Sequence, residues 1–330
     1  MILLDIKNLT IELETADGLI RAVDRVNLTL KEGEIRGLVG ESGSGKSLIA
    51  KAIVGVLNKR WRITADRFSW QGQDLLRLPY QEQRSIIGRD IAMIYQEPSR
   101  SMDPTSPILD QLTESIPDGE LESRWFGRPF ERRKKAAALL HKVGIRDHQA
   151  IFQSYPYQLS EGVCQKISIA MAIAKKPKLL IADEPTTALE STTQAQLFRL
   201  LASFNQLKGM SILLISHELE TVARTTDTMS VLYCGQLVEA GETEAILSRP
   251  MHPYTHALIK SVPEFQPELQ SKQALYALPG SIPTLQHLPI GCRLGPRCPN
   301  ARKECVKTPL LDRQQNHFYS CHFPLGGKKA

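Results

Sequence analysis

The sequence lacks an apolar run long enough to cross a bilayer. Runs such as LLIA and ILLI are far shorter than the roughly 20 apolar residues of a membrane-spanning helix. The N-terminal stretch MILLDIKNLTIELE carries Asp5 and Lys7 too early for a signal peptide, and no small-residue cleavage site follows it. We therefore expect this chain to remain in the cytoplasm.

The sequence also lacks a strong excess of either charge, a heptad run and any internal repeat. Lysine and arginine total 41 against 35 aspartate and glutamate, a net charge of +6, which is too small to indicate nucleic-acid binding by itself. A chain of 330 residues is long enough for a full hydrophobic core with an appended segment. These features favour a globular protein that does not bind nucleic acid.

Cysteine is scarce and unevenly placed. The first is Cys164, and four of the six fall in the last 39 residues, at Cys292, Cys298, Cys305 and Cys321. In a reducing compartment such a group is more often a metal or cluster site than a set of disulfides. Thiolates suit iron–sulfur clusters or zinc, but the tight C-x₂₋₄-C pair typical of zinc is missing. From the residues alone, an iron–sulfur cluster, zinc and incidental buried thiols all stay open.

Strands and helices alternate along the chain. LLDIKNLTIELE and AVDRVNLTL show the alternation of half-buried strands, with the turn-forming pair DG between them. GEIRGLVG is a short apolar strand before a glycine-rich loop, and SLIAKAIVGVL has helical spacing. KLLIADEP and SILLISHEL are further apolar strands that end in polar residues. This order predicts a parallel sheet with a site at the carboxyl ends of its strands.

The glycine-rich loop GESGSGKS matches the phosphate-binding pattern G-x-x-x-x-G-K-[ST] in full. Its glycines let backbone N–H groups turn towards phosphate oxygens, and the N-terminus of the next helix adds partial positive charge. Lys46 would reach the β- and γ-phosphates, and the Ser47 hydroxyl would bind Mg²⁺. The alternative, a chance glycine-rich turn, is disfavoured by the flanking strand and helix. The residues expected to bind ATP are Gly40, Glu41, Ser42, Gly43, Ser44, Gly45, Lys46 and Ser47.

Four polar residues at strand ends extend this pattern. LLIADE ends in Asp183, a candidate magnesium ligand, and in Glu184, which is placed to polarise an attacking water. Gln96 follows IAMIY, and His217 follows LLIS. Each alone is also typical of an ordinary polar residue at a strand end. Their order along the chain, with LSEG between Gln96 and Asp183, is far more specific.

This order resembles that of the nucleotide-binding subunits of ATP-binding cassette (ABC) transporters. The resemblance covers roughly residues 1–240 and implies an α/β fold, a P-loop ABC ATPase core with an antiparallel β subdomain. A helical subdomain would be inserted at about 99–175, and a cysteine-bearing C-terminal extension would occupy 241–330. The resemblance also implies that two such subunits dimerise head to tail, with each ATP between one P-loop and the partner's signature loop.

The resemblance assigns roles to the polar residues. Glu184 would be the catalytic base, and His217 would contact the γ-phosphate and orient the water. Gln96 would pass the motion of the site to the membrane subunits. Ser47, Gln96 and Asp183 would be the residues around Mg²⁺.

The signature loop departs from the family pattern LSGGQ. It reads LSEGV here, so Ser160 and Gly162 match and would act on the partner's nucleotide, while Glu161 replaces a glycine and Val163 a glutamine. A carboxylate near a γ-phosphate is repulsive unless it points away or meets a cation. The N-terminus of the following helix favours an acidic residue at this position. The sequence leaves both effects open.

The stretch LPGSIPTLQHLPIGCRLGPRCPNARKEC resembles the C-terminal extension of the oligopeptide/dipeptide branch of ABC importers. In that branch Cys292, Cys298, Cys305 and Cys321 are implied to hold a 4Fe–4S cluster. The branch also implies a second, different ATP-binding subunit, two transmembrane permeases and, indirectly, a periplasmic peptide-binding protein. The chain would then lie on the cytoplasmic face of the bacterial inner membrane as a peripheral protein.

The leading hypothesis is an ATPase subunit that drives peptide import, with antimicrobial peptides as the expected cargo and polyamines as an alternative. The altered signature loop keeps a second hypothesis, a weakly hydrolysing ATP-binding regulatory subunit. Soluble ABC ATPases of DNA repair or translation fuse two cassettes or carry long coiled coils, and this sequence shows neither.

Overall fold

The structure is a computed structural model that describes residues 1–16, 18–122, 127–186, 191–266 and 276–326. They fold into two units, the first formed by Met1–Pro79 with Leu213–Ala330 and the second by Tyr80–Ile212.

The strands are numbered along the chain. They are β1 (Ile2–Thr15), β2 (Gly18–Lys31), β3 (Ile35–Val39), β4 (Trp61–Thr64), β5 (Arg67–Trp70), β6 (Gln73–Asp74), β7 (Ile91–Ile94), β8 (Leu179–Asp183), β9 (Ser211–Ser216), β10 (Thr228–Tyr233), β11 (Gln236–Glu242), β12 (Asp312–Gln314) and β13 (His317–Tyr319). The helices are α1 (Lys46–Ile53), α2 (Tyr80–Asp90), α3 (Pro98–Ser101), α4 (Ile108–Ser115), α5 (Arg128–Lys142), α6 (His148–Gln153), α7 (Glu161–Ala174), α8 (Ser191–Lys208), α9 (Leu219–Thr225), α10 (Thr243–Ser248) and α11 (Pro253–Lys260).

The first unit contains an antiparallel sheet built on β1. This strand pairs with β2, β4 and β5, and β5 pairs with β6. Thr15 of β1 pairs with Gly18 of β2, so the two strands that the alternation predicted are antiparallel neighbours. Asp17 of the predicted turn lies outside the described residues. The antiparallel β subdomain is therefore confirmed.

A second sheet of the first unit positions the phosphate-binding loop. β3 pairs with β10 in parallel, β10 pairs with β11 antiparallel, and β13 adds to the other edge of β11. The buried residues Leu38 and Val39 end β3 directly before the glycine-rich loop. The helix after this loop was predicted to run through SLIAKAIVGVL, but α1 ends at Ile53 because Gly55 adopts a φ of 66° that suits a helix terminus.

The second unit combines two strands with a group of helices. β7 and β8 pair in parallel, with Ile94 opposite Ala182. Between the two strands the described residues form helices α3 to α7, in agreement with the predicted helical insertion. The domain boundaries at residues 99, 175 and 240 stay predictions. Among the helices that the structure describes, none combines the length and apolar character that crossing a bilayer demands.

Candidate functional site

The phosphate-binding loop lies in the first unit between β3 and α1. Gly40, Gly43 and Gly45 have φ values of 156°, 78° and 99°, a region that residues with a Cβ rarely adopt. At Gly40 a Cβ would also lie 2.2 Å from the carbonyl oxygen of Leu232. The pattern therefore requires glycine here on steric grounds, and the loop has the conformation that this residue type permits.

Lys46 begins α1 and points back over the loop. Its side chain is buried, and its Nζ donates hydrogen bonds to the carbonyl oxygens of Gly40 at 2.7 Å and Glu41 at 3.1 Å. Ser47 follows it in the first turn of the helix, where the backbone N–H groups carry partial positive charge. The loop therefore places an ammonium group and a helix N-terminus together, an arrangement that suits a phosphate.

Glu41, the second residue of the loop, is held by two residues that the sequence patterns did not single out. Its backbone N–H donates to the hydroxyl of Tyr254 at 2.9 Å, and its carboxylate accepts two hydrogen bonds from Arg297. Both partners lie more than 200 positions away along the chain, so no local pattern could indicate them.

Gln96, Asp183 and Glu184 lie in the second unit, where β7 and β8 end. The Gln96 Nε2 donates to the Glu184 Oε2 at 2.7 Å. Asp183 is buried at the end of β8, whereas Glu184 has a φ of 47°, an uncommon backbone conformation for a residue with a Cβ. The structure thus brings together the residue proposed as the base and the glutamine expected to sense it.

His217 directly follows β9 and lies in the first unit, with an exposed side chain. The adjacent Ser216 hydroxyl accepts a hydrogen bond from the Glu218 N–H at 2.9 Å, which fixes the backbone turn after the strand. The catalytic role of His217 stays a prediction.

The signature loop LSEGV forms the start of α7 in the second unit. Ser160 is the N-cap residue, with extended backbone, and Glu161 lies in the first turn. The Ser99 hydroxyl donates a hydrogen bond to the Glu161 carboxylate. The carboxylate therefore lies at a helix N-terminus, the position that the helix dipole favours, and accepts from a neutral hydroxyl rather than a cation.

The four late cysteines are free thiols and partly buried. Burial raises the pKa of Cys321 to about 11, and the negative charges of Cys292, Cys298 and Cys305 raise it as well. The thiols are therefore near one another, and the backbone N–H of Cys292 donates to the carbonyl of Cys305 at 2.9 Å. Within the described ranges, however, no three His, Cys, Asp or Glu side chains are arranged as a metal site. The iron–sulfur cluster stays a prediction.

Comparisons with known proteins agree with these motifs. Residues 23–187 match the model of the ABC transporter family, half of the chain. The chain belongs to the ABC transporter family. Residues 238–305 match a second model, described as the C-terminal region of oligopeptide/dipeptide transporters. The resemblance that the motifs indicated is confirmed over both parts of the sequence.

Individual ABC proteins give the same result. The chain is 54% identical to the peptide transport system ATP-binding protein SapD of Salmonella typhimurium, over 98% of both chains. It is 42% identical to the dipeptide transport ATP-binding protein DppD of Escherichia coli, again over 98% of both chains. The dimeric structure of MJ0796, a bacterial ABC transporter cassette, has a TM-score of 0.65 at 26% identity and covers 73% of this chain and 98% of its own. The predicted ABC ATPase fold is confirmed.

Proposed function

We propose that this chain is the ATP-hydrolysing subunit of a peptide-importing ABC transporter and lies at the cytoplasmic face of the bacterial inner membrane. The observation that carries the proposal is the complete phosphate-binding loop, in which Lys46 and the N-terminus of α1 lie together. The full-length similarity to SapD and DppD supports a peptide as the cargo. Antimicrobial peptides fit the similarity to SapD best, and polyamines are the alternative cargo.

The proposed site assigns the binding of MgATP to residues of both motifs. The backbone N–H groups of residues 40–47 and the Lys46 ammonium bind the β- and γ-phosphates. Ser47, Gln96 and Asp183 would hold Mg²⁺, either directly or through its water molecules. The bound ion would neutralise the phosphate charge that develops during hydrolysis.

The hydrolytic step is assigned to Glu184. Its carboxylate accepts a proton from the water that attacks the γ-phosphorus, while the bond to the β-phosphate oxygen breaks and ADP leaves. The hydrogen bond from Gln96 at 2.7 Å holds this carboxylate in one orientation. His217 contacts the γ-phosphate and orients the water. Because Gln96 precedes the helical insertion, a change at Glu184 can be passed to that segment.

The signature loop completes the site of a partner subunit. Ser160 and Gly162 present the hydroxyl and N–H groups of the α7 N-terminus to the partner's γ-phosphate. The hydrogen bond from Ser99 supports an orientation of the Glu161 carboxylate that avoids this phosphate. Two permeases, a periplasmic peptide-binding protein and a second ATP-binding subunit complete the proposed transporter, with the second ATPase forming a heterodimer with this chain.

The test of the proposal is steady-state phosphate release by the anaerobically purified chain, alone and with its second ATP-binding subunit. Glu184→Gln should lower the turnover number at least about a hundredfold, since general bases contribute about 10²–10⁴, while ATP binding persists. Turnover by Glu184→Gln that equals the wild-type rate would refute the assigned role. Binding without turnover under both conditions would instead support the regulatory ATP-binding subunit.

We further propose that Cys292, Cys298, Cys305 and Cys321 hold a 4Fe–4S cluster, with zinc as the alternative. The support is the proximity of the four partly buried cysteines. Burial raises the pKa of Cys292 and Cys321, and neighbouring cysteines raise it further. A bound cationic centre would remove this repulsion between thiolates. Iron, sulfide and zinc should be quantified in chain purified without oxygen. About four irons and four sulfides per chain are expected, and Cys305→Ser should lower both; stoichiometric zinc without sulfide would favour the alternative.

A further inference from the structure

The C-terminal extension reaches the phosphate-binding loop through one arginine. The Arg297 Nη1 donates to the Glu41 Oε2 at 2.9 Å, and Nη2 donates to Oε1 at 3.3 Å. The Arg297 side chain is 7% exposed and that of Glu41 27%, so the pair is partly shielded from water. A forked arginine–carboxylate pair of this kind fixes the direction of both groups, unlike a single surface contact.

Arg297 is itself held from several sides. Its Nε donates to the carbonyl oxygen of Pro279 at 3.1 Å, and its Nη1 also reaches the Tyr233 hydroxyl at 3.3 Å. The guanidinium carbon lies 5.8 Å from the centre of the Tyr233 ring, within the range of a cation–π contact. Together with Glu41, these partners give every nitrogen of the guanidinium an acceptor.

A tyrosine of α11 holds the backbone of the same loop residue. The Tyr254 hydroxyl accepts the Glu41 N–H at 2.9 Å. Tyr254 is fully buried, and its ring centre lies 4.7 Å from that of Tyr233. Side chain and backbone of Glu41 are thus both fixed by residues that follow β11 along the chain.

The contacts continue from Glu41 to the phosphate-binding lysine. The carbonyl oxygen of Glu41 accepts a hydrogen bond from the Lys46 Nζ at 3.1 Å. A rotation of Glu41 would move this acceptor and with it the lysine ammonium, on which the affinity for phosphates depends. A displacement of about 1 Å at such a position is sufficient to weaken binding.

We propose that Arg297 is a positioning residue of the ATP site, which sets the affinity for the nucleotide by holding Glu41 and, through it, Lys46. The inference rests on the proposed function, since it requires that the loop binds ATP. It makes the C-terminal extension a part of the nucleotide site and gives Glu41, which the loop pattern leaves unspecified, a defined role.

The test is a double-mutant cycle measured as the Kd for mant-ATP with Mg²⁺, on the full chain. Arg297→Met and Glu41→Gln should each weaken binding about tenfold, and the double variant should bind no more weakly than either single variant. Arg297→Lys should fall between, because lysine keeps the charge but not the fork. Wild-type affinity in a folded Arg297→Met variant, or single effects that multiply in the double variant, would overturn the inference.

Arg293→Gln is the matched control for a purely structural role. Arg293 lies in the same segment and is similarly buried, but it pairs with Asp24 at 3.1 Å and donates to the carbonyl of Cys234. This variant should lower the unfolding temperature and leave the Kd unchanged; a loss of affinity equal to that of Arg297→Met would overturn the inference.

Two further comparisons complete the design. Removing one member of a buried pair can unfold a protein, so the double variant, which leaves no unpaired charge, is the decisive form if the single variants do not fold. It should bind about tenfold more weakly than wild type, and equal affinity would overturn the inference.

Lys46→Ala separates the two proposals: a wild-type chain that binds no better than this variant refutes the proposed function itself.

Discussion

At the scale of single residues, Glu161 shows how a departure from a family pattern is accommodated. A carboxylate in the signature loop would repel a γ-phosphate if it pointed towards it. The Ser99 hydroxyl donates to this carboxylate, and the N-terminus of α7 stabilises negative charge. Three positions before Ser99, Gln96 holds Glu184. The short segment after β7 therefore supplies a hydrogen-bond donor to each of two carboxylates, those of Glu184 and Glu161.

Ser99→Ala should lower the rate of ATP hydrolysis about fivefold in the assembled transporter. The loss of one hydrogen bond to an exposed charged group costs about 1 kcal/mol, which frees Glu161 to approach the phosphate. Glu161→Gln in the same chain should restore most of the rate, because the repulsion then disappears. Ser101→Ala is the control, since its hydroxyl donates to the carbonyl of Pro98 at 2.8 Å. A double variant slower than Ser99→Ala would contradict this explanation.

Residues of the site could be predicted where their spacing along the chain is short. The loop from Gly40 to Ser47 is contiguous in the sequence. At Gly40 there is no room for a Cβ, so the glycine of the sequence pattern directly reports the structural requirement. The partners Ser99 and Glu161 are separated by 62 positions, and Arg297 and Glu41 by 256. Such pairs depend on how the chain folds back, which no local pattern encodes.

At the scale of elements, α11 begins at a histidine that must stay neutral. His252 is the N-cap residue, and its Nδ1 accepts the Tyr254 N–H at 3.1 Å. Burial lowers the pKa of His252 from 6.5 to about 4, although the Glu239 carboxylate acts in the opposite direction. The same helix carries Tyr254, which holds Glu41. The protonation state of this cap therefore bears on an element that supports the phosphate-binding loop.

The free energy of unfolding should fall as pH falls from 6.5 to 4. In this range the unfolded chain binds a proton at His252 and the folded chain does not, so up to about 3 kcal/mol is lost; above pH 6.5 the histidine contributes no pH dependence. His252→Asn keeps an acceptor at the cap and should flatten this slope, as measured by urea unfolding at several pH values. An unaltered slope in His252→Asn would refute the assignment.

The strands were predictable as elements, while their ends and partners were less so. The alternation in β1 and β2 and the apolar runs of β8 and β9 indicated these strands correctly, because burial on one or both faces leaves a pattern in the sequence. Helix α1 ends at Ile53 because Gly55 adopts a positive φ. The prediction extended the helix past this glycine because the apolar residues beyond it kept helical spacing. The pairing of β13 with β11 joins Phe318 to Ala240, and a strand of three residues carries too little pattern to be recognised.

At the scale of the whole molecule, the match to two family models suggests a cassette with a separate appendage. In the first unit, however, residues of the C-terminal extension share a hydrophobic core with residues of the cassette. Tyr254 and Leu294, both from the C-terminal extension, are buried in one cluster with Val231, Tyr233 and Val238. Because β13 also extends the sheet that carries β3, the core of this unit is built from both ends of the chain.

A chain that ends at Glu242 should therefore fail to unfold cooperatively and should aggregate. It loses the buried side chains of Met251, Tyr254 and Leu294, each worth about 2 kcal/mol. Their sum of about 6 kcal/mol is comparable with the 5–15 kcal/mol that stabilises a typical domain. Thermal unfolding followed by circular dichroism, with size-exclusion chromatography, would measure this, and a chain ending at Gly326 is the control. A cooperative, monomeric fragment ending at Glu242 would instead show that residues 1–240 form an independent domain, as the sequence pattern predicts.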